Sequence, residues 1–274
     1  MAKHDPREIF LASRTPSKAE EAMADIKQAV PDSKVTFLQL DLTSFASIKK
    51  AADEFNAKSD RLDILINNAG IMAVPYSLTK ENYEIQFGTN HVGHALLTKL
   101  LLPTLLKTAS QPGADVRIIN LSSEGHNMAP RGGIVYDQAA LEQHSTAARY
   151  GQAKLANILH ARELQKRYPS ITSTSLHPGV IITELYSTIQ STHAAARIFL
   201  PAARAATKAG LLYDIPAGAK NQLWAAAAPK DEVAKTYYWK PVGVKSAGSW
   251  KAQDRALAEK LWEWTEGELK KHGY

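Results

Sequence analysis

The sequence contains no cysteine among its 274 residues. This absence excludes disulfide bonds, thiolate metal sites and a cysteine nucleophile, and it is consistent with a reducing compartment. Long hydrophobic runs are also missing, because lysine and arginine interrupt the most apolar stretches before they reach the roughly 20 residues of a membrane-spanning helix. The first ten residues include several charged side chains and therefore do not resemble a signal peptide. We therefore predict a cytoplasmic protein without a transmembrane segment.

A concentrated block of positive charge is absent as well. Lysine and arginine number 33 against 27 acidic residues, which gives a formal net charge of +6. The basic residues are scattered along the chain, so nucleic acid is not an expected partner. The same mild excess would suit a pocket for a phosphorylated cofactor.

Short apolar runs alternate with longer segments of helical periodicity. Several of the short runs are continuously apolar, which is typical of strands covered on both faces of a parallel sheet. The predicted strands are 8–12, 34–40, 62–66, 116–120, 173–176 and, more weakly, 236–238. The predicted helices are 17–29, 45–56, 81–108, 147–168, 217–227 and 251–270. We predict one α/β domain over residues 1–274 with a Rossmann-like, doubly wound parallel sheet.

Two long stretches, 124–145 and 183–214, have no regular periodicity. Irregular segments of this length inside a compact domain are usually functional loops or lids, so we predict that 183–214 forms a cap over the substrate site. His126, His144 and His193 lie in these stretches and are predicted to be solvated. Their spacing does not indicate a metal site.

Tyr150 and Lys154, in the segment YGQAK, are four residues apart on a predicted helix and therefore share one face. A phenol has a pKa near roughly 10, and a neighbouring ammonium favours the phenolate form, which makes a tyrosine usable as an acid or base. The pair on its own is equally compatible with a surface aromatic residue beside a surface lysine.

Other polar and small residues follow the predicted strands, where sites of open α/β sheets lie. Ser122 and Ser123 end one strand, and NNAG ends another at Gly70. Asn90 lies early in a long apolar helix, although asparagine is a poor helix former. Each feature also has a structural interpretation: a loop cap for the serines, a tight turn for the glycine, and a helix N-cap for the asparagine.

Taken together and in this order, the motifs NNAG, the helical asparagine, the serine pair, YxxxK and a Pro–Gly turn resemble the short-chain dehydrogenase/reductase superfamily. The resemblance extends from about residue 9 to the C-terminus. The segments KLAN and HPGV are most similar to the retinol-dehydrogenase and WW-domain-oxidoreductase branch, and the C-terminal part is similar to fungal members. The resemblance implies an NAD(P)-dependent enzyme that interconverts a carbonyl and an alcohol. The Ile, Leu, Phe and Tyr content of the two irregular stretches predicts that the substrate is a fairly apolar small molecule.

The resemblance also implies a role for each matching catalytic residue. Tyr150 would donate or accept the proton at the substrate oxygen. Lys154 would lower the pKa of that tyrosine and bond the nicotinamide ribose. Ser123, in preference to Ser122, would polarise the substrate oxygen, and Asn90 would hold the water that connects Lys154 to solvent.

Further positions match the family's cofactor contacts. Asn68 would bond the adenosine-side ribose, Asp41 would reach the adenine, and Ile181 with Thr183 would contact the nicotinamide amide and the phosphate. Arg14 follows the first predicted strand, where no acidic residue is present to bond a ribose 2′-hydroxyl. Because a guanidinium suits a phosphate, we expect NADP rather than NAD, although a solvated arginine at a helix entrance is the alternative.

The family pattern should begin with a strand and a glycine-rich turn that opens a helix, and this sequence has no such segment. Loss of that first βα unit, whose strand is central in a Rossmann sheet, would leave a gap of two strand spacings, about 9–10 Å. The two flanking strands then either pair directly with each other or leave their backbone edges unpaired. One explanation is an incorrectly assigned start of a complete enzyme, which we favour. The other is a truncated, non-catalytic remnant that acts as a binding partner.

The resemblance leaves the oligomeric state open. The helices predicted at 81–108 and 147–168 are those on which relatives commonly associate, so a homo-oligomer would form there. The identity of the substrate cannot be inferred from the two irregular stretches, since they carry no specific signature.

Overall fold

The computed structural model of the protein describes residues 1–179 and 214–274. The predicted cap, with Ile181 and Thr183, lies outside the described residues except for its last position, Asp214. The longer helices are α1 (Pro16–Ala29), α2 (Phe45–Lys58), α3 (Gly93–Ala109), α4 (Thr146–Arg167), α5 (Ile215–Ala227) and α6 (Arg255–Lys271). The strands are β1 (Ile9–Ser13), β2 (Val35–Gln39), β3 (Ile64–Asn67), β4 (Arg117–Leu121), β5 (Thr172–Leu176), β6 (Tyr238–Lys240) and β7 (Val244–Lys245).

The described strands form two sheets rather than one. β1 pairs with β2 in parallel, and the second sheet has the order β3–β4–β5–β6–β7. Its first four strands are parallel, whereas β7 is antiparallel to β6. A helix lies between each strand and the next from β1 to β6, and the chain therefore has the predicted Rossmann-like α/β fold.

β1 and β3 are not hydrogen-bonded to each other in this arrangement. Of the two outcomes that the sequence left open, the described residues show open strand edges rather than closure of the gap. The consequence is visible in solvent exposure: every residue of β1 is at least partly exposed, whereas β4 and β5 are buried at every position.

The two sheets are joined mainly by the packing of α2 against α3. Gly93, the first residue of α3, allows the loop after β2 to come close, because a Cβ at this position would lie 2.6 Å from the carbonyl oxygen of Leu42. In the same region the Lys80 amide donates a 3.2 Å hydrogen bond to the carbonyl of Thr43. One hydrophobic core continues from β2 through these helices to the larger sheet.

The helix predicted at 81–108 begins later than expected. Asn82 has a positive φ of 66°, which is incompatible with a helix, and Glu84 caps a helical turn at Ile85–Phe87. A π-helical segment, Gly88–Val92, then leads into α3. Pro103 lies inside α3.

The C-terminal helix predicted at 251–270 is divided in two. Asp254 ends the short helix Trp250–Gln253, and its carboxylate accepts a hydrogen bond from the Leu257 amide at the start of α6. The periodicity continues through this break, so the pattern alone does not reveal it. The sequence also did not predict β7 or the short helix Lys230–Val233.

α6 packs along α4, the helix that carries Tyr150. His160 of α4 stacks on Trp262 of α6, with ring centroids 5.4 Å apart. Since α4 is buried along most of its length within one chain, contact between copies through this helix would also involve α6. Association through the two helices therefore stays a prediction. No described helix is long and apolar enough to cross a bilayer.

Candidate active site

The predicted catalytic residues gather at the carboxyl ends of β3 and β4. NNAG follows β3, the serine pair follows β4, and α4 passes beside both strand ends. Loops at this edge of a parallel sheet commonly form ligand sites, because the strands stop there and their connections diverge.

Lys154 is almost fully buried, and its Nζ donates a 3.0 Å hydrogen bond to the carbonyl of Leu121, the last residue of β4. Asn157 donates to the same carbonyl at 2.8 Å. Burial lowers the pKa of Lys154 from 10.5 to about 8, since desolvation disfavours the ammonium. An ammonium has three N–H donors, and the Leu121 carbonyl uses one of them.

Asn90 is fully buried in the π-helical segment, and its amide holds the loop after β3. Its Oδ1 accepts a hydrogen bond from the Ile71 amide at 2.8 Å, and its Nδ2 donates to the Ile71 carbonyl at 2.8 Å. The N-cap interpretation of Asn90 is therefore wrong. π-helical turns inside helices occur frequently at functional sites.

Gly70 lies between these groups. A Cβ at Gly70 would lie 3.0 Å from Oδ1 of Asn90 and 3.4 Å from Nζ of Lys154. The glycine thus keeps open a small space that is bordered by a buried cation and a buried amide. This requirement is more specific than a tight turn alone.

The two serines have different roles in the structure. Ser122 is buried, and its hydroxyl donates a 2.7 Å hydrogen bond to the carbonyl of Lys154. Ser123 is half-buried, and its Oγ accepts a hydrogen bond from the Gly125 amide at 3.1 Å. An accepting hydroxyl keeps its own proton for another partner, so Ser123 can donate to a ligand, as the resemblance implied.

Tyr150 is buried against the turn that follows Ser123. A Cβ at Gly125 would lie 2.8 Å from Cε1 of the tyrosine ring, so only a glycine permits this contact. The Nζ of Lys154 lies 5.6 Å from the centroid of the same ring. The tyrosine, the lysine and the turn that carries Ser123 are therefore in mutual proximity.

An ion pair that the sequence analysis missed supports the start of α4. Arg149, immediately before Tyr150, places its Nε 3.1 Å from Oε1 of Glu84, and both side chains are almost fully buried. Glu84 also accepts hydrogen bonds from the amides of Gln86 and Phe87. The pair ties the helix of Tyr150 to the helical turn that leads to Asn90. No local sequence pattern marks it, because the two residues are distant in the chain.

The residues predicted to contact the adenosine end of a cofactor make fewer contacts than the residues around Lys154. Arg14 and Asn68 are exposed. The Asp41 carboxylate accepts hydrogen bonds from the amide and the hydroxyl of Thr43, at 2.9 and 2.7 Å, and so stabilises its own turn. Ile181 and Thr183 lie outside the described residues.

A nicotinamide cofactor fits the described site at one end only. The space beside Gly70 and the unused donors of Lys154 suit a ribose hydroxyl, and the exposed strand end at Asn68 continues outward from it. A cradle for the pyrophosphate is not formed by the described residues, since β1 leads through Arg14 directly into Pro16 of α1 without a glycine.

The structure describes two of the three histidines that the sequence predicted to be solvated. His126 is 1% exposed, so the prediction that it is solvated is wrong. His144 is half-buried, and His193 lies outside the described residues.

Asn157 was not singled out as a site residue, although the KLAN segment contains it. Within residues 1–179 and 214–274, no group of three or more metal-ligating side chains is arranged to hold a metal ion.

Comparisons with known proteins identify the family. The family model for short chain dehydrogenases matches residues 1–194. The short-chain dehydrogenase/reductase drtF of Aspergillus calidoustus is 39% identical over 99% of this chain and 88% of its own length. Retinol dehydrogenase 12 of Mus musculus is 34% identical over 93% of this chain and 76% of its own length.

Among solved structures, an uncharacterised protein from Mycobacterium paratuberculosis is similar with a TM-score of 0.67 and 29% identity, over 96% of this chain and 84% of that one. The match to the family model covers more than half of the chain, and the curated relatives cover nearly all of it. The chain belongs to the short-chain dehydrogenase/reductase family, a family of NAD(P)-dependent oxidoreductases.

Proposed function

We propose that the protein is an NADP-dependent oxidoreductase that interconverts a carbonyl and an alcohol on a fairly apolar small molecule. The observation that carries the proposal is the convergence of Lys154 and Asn90 on the strand-end loop at Gly70, with Nζ of Lys154 5.6 Å from the centroid of the Tyr150 ring. A buried cation beside a tyrosine is expensive to maintain unless it acts on that tyrosine or on a ligand.

In this proposal the bound cofactor supplies the hydride acceptor or donor, and the chain supplies the proton and the geometry. Tyr150 donates a proton to the carbonyl oxygen during reduction and removes it during oxidation. Ser123 donates a hydrogen bond to the same oxygen and stabilises the negative charge that develops there. The ammonium of Lys154 favours the phenolate and bonds the nicotinamide ribose.

Asn90 would connect Lys154 to solvent through a bound water. Oδ1 and Nδ2 of Asn90 each make one hydrogen bond to Ile71 and can each make one more, so the side chain can hold both the loop and that water. The side chain itself keeps the loop at Gly70 open for the ribose.

The preference for NADP rests on Arg14, which is exposed at the end of β1 and free to turn toward a phosphate. Asn68 and Asp41 would contact the adenosine side, and Ile181 with Thr183 the nicotinamide side. We place the enzyme in the cytoplasm, which suits a cysteine-free chain.

The test is aldehyde-dependent oxidation of NADPH by the full chain, with 4-nitrobenzaldehyde and nonanal as probe substrates. We expect turnover by the wild type and a loss of at least about 100-fold in kcat for Tyr150→Phe, with an unchanged NADPH Kd. Equal turnover by wild type and Tyr150→Phe would refute the assigned role of the tyrosine.

A second candidate function is a non-catalytic binding protein. The observation that favours it is that, among the described residues, β1 and β3 are not hydrogen-bonded to each other. It predicts that NADPH fluorescence titration of the full chain shows no binding and that no aldehyde is reduced. Turnover abolished by Tyr150→Phe would exclude it.

A further inference from the structure

The short helix Glu124–Met128, which follows Ser123, contains a histidine whose two ring nitrogens have separate partners. His126 places Nδ1 2.7 Å from the carbonyl oxygen of Ser123. The main-chain amide of Ser249, 123 residues further along the chain, donates a 3.0 Å hydrogen bond to Nε2 of the same ring. The imidazole thus bridges the turn beside Tyr150 and a distant part of the chain.

These two contacts determine the tautomer. An amide N–H can only donate, so Nε2 of His126 must be the unprotonated nitrogen. A carbonyl oxygen can only accept, so Nδ1 must carry the proton. The ring is therefore neutral, and a doubly protonated ring would direct an N–H at the N–H of Ser249.

The C-terminal part of the chain also holds the rest of this turn. Nζ of Lys251 donates a 2.8 Å hydrogen bond to the carbonyl of Ala129, immediately after the turn. The hydroxyl of Tyr238 donates a 2.9 Å hydrogen bond to the Glu124 carboxylate. On the opposite side the turn packs on α4, where a Cβ at Gly151 would lie 2.6 Å from the Ala129 amide.

We propose that His126 is a positioning residue that fixes Ser123 relative to Tyr150 by holding its main-chain carbonyl. The inference rests on the proposed function, because it gives Ser123 a reacting partner. His126 does not contact the substrate in this proposal and acts only through Ser123.

The physical reason is the small number of restraints on the serine. Its carbonyl accepts from the His126 ring and from the His126 amide at 3.0 Å, and its Oγ accepts from Gly125. Without the ring contact, the peptide unit after Ser123 can rotate and change the direction of the hydroxyl. Hydrogen-bond donors to a developing oxyanion are effective only when they are held in place beforehand.

Charged and titratable groups surround the ring on every packed element: Glu124 on its own turn, His177 after β5, Tyr238 and Lys240 on β6, and Lys251 on the short helix before α6. Glu124 is paired with Lys240, Nζ to Oε2 3.2 Å. Burial is the main influence and lowers the pKa of His126 below 6.5, with the two lysines acting in the same direction, and the hydrogen bond to the Ser123 carbonyl and Glu124 opposing them. The neutral form therefore predominates at neutral pH.

Two substitutions separate the two contacts. In His126→Asn the side-chain amide occupies the place of Nδ1 and can still donate to the Ser123 carbonyl. In His126→Gln the amide oxygen reaches the place of Nε2 and can accept from Ser249, but the contact with Ser123 is lost. We expect kcat to fall at least about tenfold in His126→Gln and less than about threefold in His126→Asn, with KM for NADPH unchanged in both.

The pH profile provides a second readout. Protonation adds a proton at Nε2 and leaves Nδ1–H on the Ser123 carbonyl, so it should weaken only the contact with Ser249. Wild type and His126→Asn should therefore show the same pH dependence of kcat. The same two substitutions at His144, in the same connection, should leave kcat and the pH profile unchanged. Equal loss of kcat in both His126 variants, or an acid limb that is present in the wild type and absent from His126→Asn, would overturn the proposal.

A measurement that needs no turnover distinguishes this inference from the proposed function. The ¹⁵N shifts of the His126 ring in the full chain should show the Nδ1–H tautomer, and the Gly125 amide should exchange faster in His126→Gln than in His126→Asn. If the wild type reduces no aldehyde, the proposed function fails, while these data still decide the positioning role. An Nε2–H tautomer, or equal exchange in both variants, would refute it.

Discussion

The part of the protein around β4 and β5 differs sharply from the part around β1 and β2. All ten positions of β4 and β5 are buried, five in each strand, whereas β1 and β2 together bury only Leu38. Parallel strands are normally covered on both faces and paired on both edges. The smaller sheet has no described strand partner on either of its two outer edges and is held chiefly through α2.

The difference also separates the candidate site residues. Tyr150, Lys154 and Asn90 are buried in the well-packed part, and Ser123 is half-buried beside them. Arg14 and Asp41, assigned to the adenosine end of the cofactor, belong to the smaller sheet and make only local contacts or none that orient them. The structure therefore holds the residues around Tyr150 in place more firmly than the residues that would bind the adenosine end of the cofactor.

The largest effect should follow from Lys154→Met, which removes a buried cation from the well-packed part. We expect kcat to fall at least about 100-fold, while the midpoint of thermal unfolding stays the same or rises because burying an ammonium is unfavourable. Lys107→Met, at an exposed salt bridge with Asp60, is the matched control and should leave kcat within about twofold. Comparable loss in both variants would contradict the account.

The same lysine gives a pH prediction. Its pKa is lowered to about 8 in the folded protein, so the ammonium form is lost as pH rises through that value. Aldehyde reduction should decline above about pH 8. Stability should change in the opposite sense, rising between about pH 8 and 10.5, because the unfolded chain still binds the proton there. Rate and unfolding measurements at the same pH values would test both signs.

Acid should destabilise the well-packed part, because it contains buried neutral histidines. Burial lowers the pKa of His94 and of His160 from 6.5 to about 4. Between these values the unfolded chain takes up protons and the folded chain does not, so stability falls by up to about 3 kcal/mol per histidine as pH decreases. Urea unfolding should show a smaller loss in His160→Phe, which keeps a ring on Trp262 without titrating. If the free energy of unfolding depends on pH in the same way in His160→Phe as in the wild type, His160 is not a source of the acid destabilisation.

Native-state hydrogen exchange should resolve the two parts directly. Amides of β4 and β5 should exchange only through global unfolding, and those paired between β1 and β2 through a local opening at least about 2 kcal/mol lower in free energy. Equal protection factors in the two sheets would mean that the smaller sheet is as well supported as the larger one.

The smallest effect is expected from Arg14→Ala. Because Arg14 is exposed and would contact only the 2′-phosphate, its removal should weaken NADPH binding about tenfold and leave NADH binding unchanged. Fluorescence titration with both cofactors measures this directly. Equal weakening for NADPH and NADH would assign the arginine another role.

Features with local signals could be predicted from the sequence. The apolar runs located six strands to within a few residues, and the order of NNAG, the serines and YxxxK indicated the fold and the site. Features that depend on distant contacts could not. The break at Asp254 lies within continuous helical periodicity, and the burial of His126 depends on Ser249 and Tyr238, which are more than 100 residues away in the chain.

Asn90 is a second case in which the sequence alone was not sufficient for a prediction. A poor helix former in a helical pattern indicated either a cap or a functional position, and the sequence could not decide between them. The structure excludes the cap, because both polar atoms of the Asn90 side chain bond Ile71, which follows Gly70. The Glu84–Arg149 pair was missed altogether, since buried charges paired across 65 positions leave no periodic trace.

The central claim is that Tyr150 and Ser123 hold a carbonyl oxygen so that the carbonyl carbon can be reduced by a bound nicotinamide. The most direct test incubates the full chain with 4-nitrobenzaldehyde and NADPH deuterated at C4, and follows the alcohol by mass spectrometry. We predict one deuterium at the carbinol carbon with the wild type and no detectable labelled alcohol with Tyr150→Phe. Unlabelled alcohol, or equal labelling by the variant, would contradict the claim.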